Sequence, residues 1–119
     1  PFRELMRKIN RIRKENAAFH TTFNIQFCET DNENLIAYFK ISQDKSNQVL
    51  TVVNLDPVNK QTGWVKLPET LMPAHEGHTL EMHDLMDDSH YRWNRQWNYV
   101  ELDPLLITAH IFQITALPH

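Results

Sequence analysis

Two glycines and one cysteine in 119 residues remove several classes of function at the outset. Gly63 and Gly77 stand far apart, so there is no glycine-rich loop to cradle a phosphate or a dinucleotide. Cys28 has no partner for an internal disulfide, which makes a reducing, cytoplasmic setting the expectation. No apolar run approaches the roughly 20 residues that span a bilayer, so no membrane partner is expected. The first residues are charged and amphipathic, unlike a signal peptide, and the opening Pro-Phe-Arg reads as a fragment of something longer. With 41% hydrophobic and 23% charged residues, the chain has the composition of one ordinary globular domain.

Charge is unevenly placed. Residues 1–16 hold six basic side chains against two acidic ones, a balance of +4, which leaves −7 for the rest within a net −3. A basic helix can mark nucleic acid, but an acidic body opposes it, so a solvated face or an acidic neighbour is expected and nucleic acid is not. Phe2, Leu5, Met6, Ile9 and Ile12 fall at helical spacing and predict an amphipathic helix ending near Asn16, with residues 17–19 as a hinge.

The rest of the chain is organised around residues 48–57, QVLTVVNLDP, its most apolar and most β-branched run. Such a run predicts a strand buried on both faces, and Pro57 must end it because proline cannot donate to a sheet ladder. Phe23, Ile25 and Phe27 alternate with polar residues, and LIAYFKI at 35–41 follows a polar turn. With the central strand these predict an antiparallel meander. Further strands are expected at 63–67, 79–85 and 107–114. Residues 91–93 and 97–100 are expected to form a hairpin around Asn94-Arg95-Gln96. Seven to eight short strands predict an all-β antiparallel β-sandwich behind one helix.

Catalytic residues are harder to place. His75, His78, His83 and His90 with Asp84, Asp87 and Asp88 suggest a metal, but His75 and His78 sit in a prolyl loop that fixes neither, so no metal is expected. Neither Asp87–Asp88 nor Glu101 with Asp103 is marked as an acid–base couple, and Ser42, Ser46 and Ser89 lack a nucleophile context. No catalytic residue and no cofactor is assigned. The aromatic set Trp64, Tyr91, Trp93, Trp97 and Tyr99 is the best ligand candidate, because sugars stack on flat rings. Its rival is cross-strand packing of the same rings.

Residues 9–19, INRIRKENAAF, resemble the stretch in which the last barrel helix of alpha-amylase superfamily enzymes enters the C-terminal domain. VVNLDP at 52–57, GWVKLP at 63–68, HDLM at 83–86, NYVELDP at 98–104 and AHIF at 109–112 follow in order. The ordered series resembles the C-terminal domain of the bacterial maltosyltransferases of glycoside hydrolase family 13, which extend alpha-1,4-glucan from maltose 1-phosphate. The resemblance implies a Greek-key β-sandwich at 17–119, with residues 1–16 as the last helix of a catalytic (β/α)8 barrel. It carries over no catalytic residue, since the family's acids belong to the barrel. The implied role is structural: the domain covers and stabilises the barrel. Two alternatives stay open. One is a carbohydrate-binding surface for alpha-glucan made by Trp93, Trp97 and Tyr99. The other is an interaction module, or a homodimer, working through the basic helix. Asn94-Arg95-Gln96-Trp97 departs from the glycines common in the family at that turn.

Overall fold

Residues 48–54 form the strand on which both layers of the molecule rest. The computed structural model describes residues 2–20, 25–69, 71, 79–106 and 109–117; the side chains of Phe2 and Met6 lie outside this description, as do Phe23, His75, His78 and the expected strand start at 107–108. The chain runs α1 (Phe2–Glu15), a 3-10 turn (Ala17–His20), β1 (Ile25–Cys28), β2 (Leu35–Ile41), β3 (Gln48–Asn54) and β4 (Gln61–Lys66). It continues through β5 (Thr79–Asp84), β6 (Ser89–Trp93), β7 (Trp97–Leu102) and β8 (Ala109–Leu117).

One sheet has six strands in the order β1-β2-β3-β8-β5-β6, and β4 pairs with β7 in a second sheet. Every named ladder is antiparallel. The meander β1-β2-β3 is as expected. β8 inserts between β3 and β5, so sheet neighbours lie far apart in sequence, as a Greek-key path requires.

β3 is buried on both faces because each face has its own core. Leu50 and Val52 point inward with Leu35, Phe39, Met82, Phe112 and the inner residues Val65, Val100 and Leu102 of the small sheet. Val49, one residue out of phase, points the other way and packs with Ile12, Ala18, Met86 and Ile111 beneath α1. α1 is therefore docked on the outer face of the large sheet. Ile9 and Ile12, the C-terminal part of its apolar stripe, are used within the chain.

The end of α1 is fixed by two amides. Asn16, buried, donates from Nδ2 to the Ile12 carbonyl at 2.9 Å. Asn47, in the β2–β3 turn, donates from Nδ2 to Asn16 Oδ1 at 3.1 Å, while its Oδ1 accepts the Ala18 N–H at 3.0 Å. His20 Nε2 lies 3.0 Å from the carbonyls of both Arg13 and Lys14. Carbonyls only accept, so that nitrogen carries the hydrogen and closes the helix end. Residues 17–19 are thus no hinge. Ala18 is wholly buried and plugs the outer core.

The expected hairpin at 91–100 does not form. β6 pairs with β5 in the large sheet, whereas β7 pairs with β4 in the small one. Residues 94–96 carry the chain from one layer to the other, held by the Leu67 N–H donating to the Gln96 carbonyl at 2.7 Å. Alternation with period two is the same for a hairpin and for a strand that changes sheets, so the pattern could not separate them. At the other end, β3 stops before Asp56-Pro57. The N–H groups of Asn59 and Val58 donate to the Asp56 carboxylate and hold its pKa down at about 2.

Candidate functional site

The small sheet turns one face outward, and that face carries the exposed rings. Asn98, Val100 and Leu102 of β7 are buried, so Trp97, Tyr99 and Glu101 must face out. Tyr99 lies opposite Trp64 in the β4–β7 register. The two rings meet edge to face at 5.6 Å, with 43% of Trp64 and 47% of Tyr99 exposed. Glu101 extends the row, accepting from Tyr99 Oη at 3.2 Å and pairing with Lys60 at 3.2 Å.

On one side of this ridge is a recess of about 450 Å³ lined by Asp31, Asn32, Glu33, Asn34, Thr62 and Trp64. Asp31 Oδ1 accepts the Trp64 N–H at 2.8 Å. Asn32 Nδ2 donates to Gln61 Oε1 and to the Thr62 carbonyl. Gly63 allows this approach, because a Cβ there would stand 2.8 Å from Asp31 Oδ1 and 3.0 Å from Leu35 Cδ1. On the other side is an apolar cleft of about 370 Å³ between the sheet edges, lined by Tyr91, Trp93, Tyr99, His110 and Phe112.

The three rings singled out in the sequence are not brought together. Trp93 is 8% exposed, packed against Phe112 with ring centroids 5.1 Å apart. Trp97 is half-buried on the outer face of β7, and Tyr99 is the exposed member. The partner of Tyr99 is Trp64, which the β4 register supplies. A hairpin at 91–100 would have paired β7 with β6, and only the pairing of β7 with β4 brings Trp64 to Tyr99.

Under the cleft lies a buried pair the sequence did not suggest. His110 Nδ1 lies 2.6 Å from Asp84 Oδ2, and Asp84 is fully buried. Asp84 Oδ1 also accepts the N–H groups of Met86 at 3.0 Å and Ile111 at 3.2 Å. His110 Nε2 faces the Glu101 carbonyl at 3.3 Å rather than a hydroxyl or thiol, so the pair joins β5, β8 and β7 rather than activating a nucleophile. Burial pushes the Cys28 thiol up to about 11, which leaves it unreactive. Among the other carboxylates, Asp87 accepts the Ser89 N–H and Asp103 the Leu105 N–H, as turn residues do.

His83, His90 and Asp88 do come together, on the β5–β6 hairpin. The His83 hydrogen bond and charge hold the Asp88 carboxyl below its ordinary range, with smaller help from His90 and Lys8. Among the described residues no helix is long and apolar enough to cross a membrane.

Two stacked antiparallel sheets, with a helix fixed to the outer face and an aromatic ridge on the small sheet, define a helix-led β-sandwich domain. The chain belongs to the family described as "GLGE, C-terminal", whose model matches residues 27–114. It is 35% identical over 112 residues to a protein of Picrophilus torridus, covering 94% of this chain and 17% of that one. It is 37% identical to one of Chlorobaculum tepidum, covering 89% and 17%, and 39% identical to one of Corynebacterium glutamicum, covering 92% and 16%. All three are named alpha-1,4-glucan:maltose-1-phosphate maltosyltransferase. The chain thus spans 16–17% of the length of these relatives.

Proposed function

We propose that this chain is the C-terminal domain of an alpha-1,4-glucan:maltose-1-phosphate maltosyltransferase, non-catalytic itself, and that it stabilises a catalytic barrel of which residues 1–16 are the last helix. The observation that carries this is the docking of α1. Ile9 and Ile12 lie against β3 and β8, Asn47 fastens the helix end, and Arg7 and Arg11 remain exposed on the other side. A helix held this way presents a rigid basic face to whatever it is built against. In the whole enzyme, Asn47→Ala removes two hydrogen bonds at the latch and is expected to cost about 1–3 kcal/mol of stability. Calorimetry should show a lower Tm, while kcat/KM measured well below that Tm stays unchanged. A fall in kcat/KM in the folded variant would refute a purely structural role.

A second role, binding alpha-glucan as an accessory surface, is favoured by the exposed Trp64 and Tyr99 beside the polar recess. Titration with a long maltooligosaccharide, followed by tryptophan fluorescence, should then saturate, and Trp64→Ala should abolish the change. No fluorescence change at high sugar would leave the structural role alone.

A further inference from the structure

The outer face of the β5–β6 hairpin carries a group of donors used neither by the cores nor by the aromatic ridge. His83 and His90 are direct partners across the two strands, their rings 4.2 Å apart and 6° from parallel. Asp88, the last residue of the connecting turn, brings Oδ1 to 2.5 Å from His83 Nε2. One ligating atom from each of the three lies within 4.8 Å of the others.

A fourth residue orients the set. Glu81, on the same face of β5 as His83, has Oε1 3.0 Å from His90 Nδ1. The carboxylate fixes the hydrogen on Nδ1 and leaves the Nε2 lone pair free, the arrangement that carboxylates impose on metal-binding histidines. The competing cation is Lys8 of α1, which acts on Asp88 at longer range than an ion pair.

We propose that His83, His90 and Asp88 form a binding site for a divalent first-row transition metal, represented by zinc, with Glu81 as the positioning residue for His90. Two imidazoles and one carboxylate match the donor preference of zinc, whereas magnesium and calcium require oxygen ligands. At zinc–ligand distances of about 2.0–2.2 Å, neighbouring donors sit roughly 3.3 Å apart, so binding requires the two stacked rings to turn out of parallel until a nitrogen of each faces the ion. Three protein ligands leave a fourth position for water. The bound ion would tie the edge strand β6 and its turn to β5.

The test is calorimetric titration of the chelator-treated protein with Zn²⁺, beside the variants His83→Ala, His90→Ala and Glu81→Gln. One zinc is expected to bind in the wild type, with loss of that site in either histidine variant. Glu81→Gln keeps every ligand and is expected to weaken binding about tenfold. Copper should bind more tightly than zinc, and millimolar magnesium should not compete. Electron paramagnetic resonance of the Cu²⁺ form should show coupling to two ring nitrogens, reduced to one by His90→Ala. An unchanged zinc isotherm in both histidine variants, no binding at millimolar zinc, or two-nitrogen coupling that survives His90→Ala would each overturn the site.

Discussion

Replacing Asp84 by alanine is expected to lower the unfolding free energy by about 3–5 kcal/mol, a large fraction of what a domain of this size has. Asp84 is fully buried, and its two oxygens serve His110 Nδ1 and the N–H groups of Met86 and Ile111. Truncation leaves three donors without an acceptor where water does not reach, and each orphan carries a desolvation penalty. Asp84→Asn should cost less, because its carbonyl oxygen can keep the two backbone contacts while its amide meets the ring of His110. Urea unfolding of the three proteins would give the order. A loss below about 1 kcal/mol for alanine would mean the pair contributes nothing net, as some buried ion pairs do.

Phe112→Ala is the second large effect, at about 3–5 kcal/mol. Phe112 is 1% exposed and lies between Leu50 and Asp84 in the large sheet. Its ring stacks with His110 at 4.9 Å and meets Trp93 and Tyr91 edge to face. Alanine would open a cavity that the two flanking strands, hydrogen-bonded on both sides, cannot collapse to fill. Phe112→Leu keeps most of the volume and should cost about 1.5 kcal/mol or less. The near-ultraviolet circular dichroism of Trp93 should weaken in the alanine variant and persist in the leucine one. Equal losses for alanine and leucine would show that the aromatic contacts, not the volume, matter.

Much of the fold could be read in advance where local pattern and burial agree. β3 carries four consecutive buried residues, and both its apolar run and its stop at Asp56-Pro57 were visible. The helix stripe was equally plain, and Ile9 and Ile12 are where it meets the sheet. Partner choice was not legible. Trp93 and Trp97 are four residues apart yet belong to different sheets, because the layer change at 94–96 depends on what β4 and β5 offer as neighbours. The same reason hides His110 from Asp84. They are 26 positions apart, and only the β5–β8 register makes them meet. The facing of His83 and His90 was equally hidden, because their cross-strand alignment is fixed by a four-residue turn with Asp88 at φ 64.

The amide latch between Asn16 and Asn47 bears on how the molecule moves. With Ile12 and Ala18 buried and the helix end closed by His20, the C-terminal part of α1 is packed on the large sheet and hydrogen-bonded to it. Anything joined to the N-terminal end of α1 is therefore coupled to the sandwich without a slack tether. A swivel between the two must lie on the far side of the helix, and a cut made after residue 16 would separate the sheet from part of its own interior.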